Sequence, residues 1–315
     1  MSESFVGIDV SKAHLDFHLR PAHQSQRFAN DEAGIKRLVD HLAELQPAFV
    51  VLEATGGLEM PLMLALADRQ LDVAQINPRL ARDFAKASNK LAKTDAIDAA
   101  VLAHYGEAFR PKPTVIPTEE MRQLRELLDR RQQLVGNRVM EQNRLASTVL
   151  KSVRSQIKAH LSYLDKQIAQ VEKQMTKLIS QTEATRRKDE ILQSVPGIGP
   201  QVARTLIIRL PELGTLERQP LAALVGLAPM HWDSGQMKGS RHIRGGRRDV
   251  RVALYQGALT ASVHNPMLKA FYLRLLAASK SKMVALIAVA RKLLVVVNAM
   301  VAKNQMWRAD SALPM

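Results

Sequence analysis

Over its first hundred residues the chain keeps switching hydrophobic period. Phe5 to Val10 is a short apolar run, His14 to Leu19 alternates apolar with polar residues, and Gln26 to Ala29 is a weaker run. Runs of this length and period predict strands. Asn30 or Asp31 then stands where a helix cap belongs, ahead of Ile35, Leu38, Val39, Leu42 and Leu45 at helical spacing. Ala48 to Leu52 predicts a buried strand, Glu59 to Asp68 a helix, and Asp72 to Ile76 another strand. Pro78 opens a further helix and Asp95 to Tyr105 forms the last one.

The order β-β-β-α-β-α-β-α-α, three strands on short turns and then strand–helix alternation, is that of a ribonuclease H-like fold. Pro111, Pro113 and Pro117 then mark a linker. Beyond it the pattern is helical. Ile157, Leu161, Leu164, Ile168, Val171, Met175 and Leu178 step alternately by four and three, the heptad seam of a coiled coil. With the helical stretch from Met121 to Val153, this seam predicts either an antiparallel hairpin within one chain or pairing between chains. Residues 191–315 read as a separate helical unit interrupted by a Gly- and Arg-rich loop at 234–248. The expected architecture is α/β plus α: a mixed-sheet domain at 1–110, a helical coiled-coil linker at 111–190 and a basic helical domain at 191–315.

Composition sharpens this picture in three ways. Apolar residues make up 46% but aromatics only 4%, so the core must be aliphatic. The absence of cysteine excludes disulfides, thiolate metal sites and cysteine nucleophiles. Met283 to Val301 is apolar enough to suggest a membrane span. Arg291 and Lys292 at its middle make a buried helix of a cytoplasmic protein the better expectation. The formal net charge of +15 is also unevenly spread: residues 1–110 carry −3, 111–190 carry +6 and 191–315 carry +12. A basic region of this size points to a phosphate backbone as partner.

The acidic part holds the first candidate chemistry. Asp9 sits inside the strand pattern Gly7-Ile8-Asp9-Val10, and Glu53 ends Phe49-Val50-Val51-Leu52-Glu53. A charge in a buried strand is costly unless paired or bound to a cation. In a ribonuclease H-like sheet these two strands are parallel neighbours, so both acids would project at one edge. Asp95 and Asp98 are three apart and share a helix face. Oxygen-only ligands select a hard cation, Mg²⁺ or Mn²⁺.

The basic part holds the second. Ser194-Val195-Pro196-Gly197-Ile198-Gly199-Pro200 resembles a helix-hairpin-helix element, in which Gly197 and Gly199 permit a tight turn beside a phosphate. From Ser234 to Arg251 the chain carries Lys238, Arg241, Arg244, Arg247, Arg248 and Arg251 against the single acid Asp249. On its residues alone Ser234 reads as a turn serine; Ser240 lies nearer the arginines but lacks a following glycine.

Three acidic segments carry a specific resemblance: Gly7-Ile8-Asp9-Val10-Ser11-Lys12, Glu53-Ala54-Thr55-Gly56-Gly57 and Lys93-Thr94-Asp95-Ala96-Ile97-Asp98. They resemble the DEDD motifs of the IS-one-ten insertion-sequence transposases, relatives of the Piv DNA invertase. The resemblance implies a RuvC-like domain with Asp9, Glu53, Asp95 and Asp98 as metal ligands, and Lys12 and Lys93 as flanking phosphate contacts. It also implies Ser234, followed by Gly235, as the nucleophile of a covalent phosphoserine link. Its further implications are DNA strand exchange guided by a non-coding bridge RNA, and dimers joined into a tetramer on synapsed DNA. Two other classes fit parts of the pattern. A metal-dependent nuclease of the Holliday-junction resolvase type needs the acids but not the serine. A non-catalytic nucleic-acid-binding protein needs only the basic half.

Overall fold

The computed structural model describes residues 3–90, 95–230, 233–234, 237–238 and 242–308; at 95–96, 233–234 and 237–238 the description covers backbone but not side chains. The chain divides into two compact units, Met1–Pro117 and Thr118–Met315.

The first unit is built on a mixed sheet. Its strands are β1 (Phe5–Val10), β2 (His14–Arg20), β3 (Gln24–Ala29), β4 (Phe49–Glu53) and β5 (Val73–Ile76), in spatial order β3-β2-β1-β4-β5. The first three are antiparallel, because connections as short as 11–13 and 21–23 can only reverse the chain. Ser11 fixes the first turn, its amide donating to the His14 carbonyl at 2.9 Å and its Oγ accepting from the His14 amide at 3.0 Å. β4 and β5 run parallel to β1, each reached through a helix: α1 (Glu32–Leu45) and α2 (Met60–Asp68). Asp31 caps α1 by accepting from the Gly34 amide at 2.7 Å. Two further helices follow β5, α3 (Pro78–Ala87) and α4 (Asp95–Phe109).

The sheet separates two cores by residue parity. Val6, Ile8 and Val10 pack with Leu15, Phe17, Leu38, Leu42, Leu52 and Leu62 beneath α1 and α2. Phe5, Val51, Ala74 and Ile76 point the other way, against Ala81 and Leu102 of α3 and α4. Gly7 lies on this second face, where a Cβ would collide with the backbone of Ala99 and Ala103. Helix α4 therefore lies directly on β1. Its Gly106 approaches Phe5 and Val51, so it runs antiparallel to β1, with its first turn over the end that carries Asp9. The proline segment at 111–117 is not free of this unit. Thr114 donates its amide to Val73 at 2.8 Å and accepts from the Gln75 amide at 2.9 Å, edging β5.

The second unit opens with two long helices, α5 (Glu119–Ser147) and α6 (Lys151–Gln181). Arg131 pairs with Glu172 at 2.7 Å, Arg138 with Asp165 at 2.6 Å, and Glu141 faces His160 at 3.7 Å, so partners approach the turn together. The helices are an antiparallel hairpin. The heptad positions Ile157, Leu164, Val171 and Met175 are buried in it, with Leu124, Leu128 and Leu134 of α5 also in the core. The same core continues through α7 (Glu183–Gln193), α8 (Pro200–Arg209), α9 (Arg218–Val225), α10 (Arg248–His264), α11 (Pro266–Ala277) and α12 (Lys282–Ala302). By length and composition α12 could cross a membrane. In this fold it packs on α10 and α11 and buries Val289, Leu293, Val296, Val297 and Met300. Asn298 within it accepts from the Gly214 amide at 2.7 Å and donates to the Leu216 carbonyl at 2.9 Å.

Candidate carboxylate site and basic hairpin

Strand register brings two of the four acids side by side. Ile8 pairs with Leu52 in the parallel β1–β4 ladder, so Asp9 and Glu53 are the next neighbours along it. Both have the parity of the face that Gly7 opens to α4. Asp98 lies in the first turn of that helix, one residue before the Ala99 that covers Gly7. Asp9, Glu53 and Asp98 are each partly exposed. The backbone of Asp95 begins α4, while its side chain and Lys93 lie outside the described residues. Lys12 is exposed in the β1–β2 turn. Among the described residues no three His, Asp or Glu side chains form a ready metal cluster. Asp9, Glu53 and Asp98 offer only oxygen donors, which fits a hard divalent cation.

Two acids of this region escape a reading of motifs. Glu59 is 3% exposed, and its Oε2 accepts from the Thr55 amide at 3.1 Å, the Thr55 hydroxyl at 2.9 Å and the Gly57 amide at 2.9 Å. Its Oε1 accepts from Gln75 Nε2 at 2.5 Å. It thus ties the turn after Glu53 to strand β5. Asp16 is 7% exposed on β2, directly opposite Asp9. In the alternating segment His14 to Arg20 it has the parity expected of a solvated face. Helix α4 covers that face, and no local pattern announces a cover that arrives eighty residues later. His18, on the same face, donates or accepts through Nδ1 with the Ser25 hydroxyl at 2.8 Å. Burial holds its pKa below the ordinary range, helped by the positive fields of His23, Arg20 and Lys90.

In the second unit the Gly- and Arg-rich segment is not a plain loop. β6 (Pro229–Met230) pairs with β9 (His242–Ile243), and β7 (Asp233–Ser234) with β8 (Met237–Lys238), both antiparallel. The two ladders are nested, so the segment is a β-hairpin, and Ser234 opposite Met237 closes its turn. Strands of two residues are too short to leave an alternating pattern. Ser240 and Arg241 lie outside the described residues. The base of the hairpin is held by close backbone approach: a Cβ at Gly246, where φ is 69°, would collide with Gly226.

The arginines divide into two groups. Arg247 makes a two-pronged pair with Glu212 at 2.5 and 2.6 Å and donates to the Arg209 carbonyl at 3.0 Å. Burial works against the charge on Glu212, but hydrogen bonds from Arg247 and its own backbone hold its pKa below the usual carboxylate range. Arg251 donates to the carbonyls of Val225 and Gly245. Arg244 and Arg248 are exposed. The turn at Gly197 and Gly199 is also divided. Gly197, with φ of 110°, meets the backbone of Ala261, whereas a Cβ at Gly199 would meet open space ahead of α8. Asn265, fully buried, donates to the Pro196 carbonyl at 3.3 Å and anchors the turn to α10 and α11.

Comparison with known proteins completes the picture. Residues 6–154 match a family model of DEDD transposases of the IS110 type, and residues 189–273 match the transposase IS116/IS110/IS902 family. The pilin gene-inverting protein of Moraxella bovis is 26% identical over 315 residues, covering 97% of this chain and 98% of its own. The transposase for insertion sequence element IS1328 of Yersinia enterocolitica is 24% identical over 266 residues, covering 74% of this chain and 75% of its own. The chain is therefore an enzyme of DNA recombination, of the transposase class. It belongs to the IS110 family of insertion-sequence transposases.

Proposed function

We propose that this chain recombines DNA through a divalent-cation carboxylate site and a serine nucleophile, guided by RNA. The observation that carries the reading is the register that makes Asp9 and Glu53 neighbours on the face lying under the start of α4. The five-stranded order and the helices after it suit a ribonuclease H-like, RuvC-like domain. Asp9, Glu53, Asp95 and Asp98 would hold Mg²⁺ or Mn²⁺, which when bound neutralises charge at a reacting phosphate.

Ser234 supplies the nucleophile from the turn of the hairpin. Its Oγ bonds to phosphorus as the bond to a deoxyribose oxygen breaks, and the serine proton passes to that leaving oxygen. A hydroxyl of a second strand later displaces the serine, so phosphodiester energy is conserved. Arg244 and Arg248, exposed beside the hairpin, are the best-placed described arginines to neutralise the phosphate. Arg241, Arg247 and Arg251 complete a basic wall, the last two mainly by bracing the hairpin's base. Lys12, Lys93 and the turn at Gly197 and Gly199, a helix-hairpin-helix-like element, are further backbone contacts.

The partners in this reading are donor and target DNA, a bridge RNA that selects both by base pairing, and further copies of the chain up to a tetramer, in the cytoplasm. The decisive experiment traps the covalent adduct on a nicked DNA substrate. Ser234→Ala should retain fold and DNA affinity yet form no adduct and no recombinant. Full recombination by that variant would leave the nuclease-type reading, with water as the attacking group. Sequencing RNA that co-purifies with the protein tests the guide; a purified active enzyme free of RNA rejects it.

A further inference from the structure

Asp16 stands directly opposite Asp9 in the antiparallel β1–β2 pair. Opposed residues of such a pair share a face and hold their Cβ atoms about 4.5–5.5 Å apart. Like charges in that relation repel, so a second carboxylate here needs a physical reason. Arg27 supplies part of one. Its Nε donates to Asp16 Oδ1 at 2.8 Å, from β3, the strand on the far side from Asp9.

The other oxygen is different. Asp16 is 7% exposed, and its Oδ2 is buried without a hydrogen-bond partner among the described residues. A surface ion pair would leave that oxygen in water, and a structural carboxylate would satisfy it, as Glu59 does with four hydrogen bonds. An unpartnered, desolvated carboxylate oxygen is expensive unless something absent from the bare chain binds it. A cation suits this oxygen, because the neighbour across the strand is an acid, and a hard one, because both carboxylates offer oxygen.

We propose that Asp16 is a fifth acid of the carboxylate site, ligating a divalent cation through Oδ2 together with Asp9. This rests on the cation-site reading given above. Arg27 then acts as a positioning residue: it holds one oxygen and so turns the carboxylate while leaving the second lone-pair set for the cation.

The test is Mn²⁺ binding to the full-length protein, followed by electron paramagnetic resonance of the free ion, with far-UV circular dichroism as the check on folding. Asp16→Asn should weaken Mn²⁺ binding by about ten- to a hundredfold at unchanged ellipticity. Asp9→Asn should weaken it at least as much, and Arg27→Gln far less, because the ligand oxygen survives. Should Asp16→Asn unfold because Arg27 is left unpaired, the double variant Asp16→Asn, Arg27→Gln removes both charges and carries the same measurement. If the wild-type chain binds Mn²⁺ and Asp9→Asn abolishes it while Asp16→Asn binds as the wild type does, the role of Asp16 is overturned and the site stands. If the wild-type chain binds no Mn²⁺, the site reading itself fails and Asp16 falls with it.

Discussion

The two units treat their charged residues in opposite ways. In the first, with a net charge of only −3 over residues 1–110, the acids gather on one sheet face beneath a helix. In the second, several arginines are spent inside the fold. Arg204 is 7% exposed and donates to the Thr176 hydroxyl at 2.6 Å; Arg209 pairs with Asp129, Arg247 with Glu212, and Arg251 bonds backbone carbonyls. A count of arginines therefore overstates the surface offered to phosphate. A count of motif acids understates the carboxylate face, because Asp16 belongs to no motif. Charge becomes function only once its neighbours are known.

The sharpest way to break this contrast is to remove an acid of the first unit. Asp98→Asn should lower strand cleavage by about a thousandfold or more, since cation-assisted charge stabilisation is worth several kcal/mol. DNA affinity, measured by electrophoretic shift, should hardly change if, as proposed, binding belongs to the basic unit. A matching loss of affinity would mean that the two functions are not divided as described.

A large effect on stability is expected in the helical hairpin. Leu164 is 2% exposed in the seam between α5 and α6. Leu164→Ala should destabilise the second unit by about 2–5 kcal/mol in denaturant titrations. Light scattering should show the same oligomer as the wild type, since the seam is satisfied within one chain. A dissociated assembly with unchanged stability would place the seam between chains instead.

Smaller effects separate the two kinds of arginine. Arg248→Ala should flatten the dependence of log K on log salt by about 0.9 if one duplex phosphate contact is lost, with no change in melting temperature. Arg247→Ala should do the reverse. It costs about 1 kcal/mol of stability, modest because roughly a third of each side chain of the pair meets solvent, and leaves the slope alone. Equal slopes for both variants would erase the division.

The smallest effect is on pH. Burial lowers the pKa of His104 below 6.5, aided by Arg20 and Lys90 and opposed by Glu107. The unfolded chain then binds more protons than the folded one as pH falls through about 6.5, so the first unit loses stability there. Glu212 has a lowered pKa, so its contribution survives until the pH falls below the ordinary carboxylate range. Asp189, whose pKa burial raises, favours the folded second unit as it protonates on the way down. Both tryptophans, Trp232 and Trp307, fall within the span of the second unit, so their emission serves as its probe. Between pH 7 and 5.5, hydrogen exchange in α4 should speed up while the tryptophan transition holds. Parallel shifts in both would show that the histidine is not the cause.

Much of the first unit was legible because its elements are local. Phe5 to Val10 and His14 to Leu19 carry their strand periods on their faces, and the observed strands agree within a residue. Asp31 caps its helix as its side-chain chemistry requires, and the heptad of α6 survives as a packed stripe. What the residues alone left open was which surface each element meets. The seam at 157–178 fits a partner helix of any origin, and the nearest one, α5, three residues away through a tight turn, takes it. The hairpin around Ser234 was hidden because two-residue strands have no period to read.

The sequence by itself determined the periods, the cap of the first helix, and the identity of the four motif acids. Those follow from each residue's own sterics and polarity, which neighbours in space do not alter. The tertiary structure alone decided that α4 lies on the β2 face, so that Asp16 is desolvated and faces Asp9. It also decided that Arg247 answers Glu212 while Arg248 stays in water. Burial and partnership depend on distances between segments far apart in the chain, and a one-dimensional pattern holds no such distances.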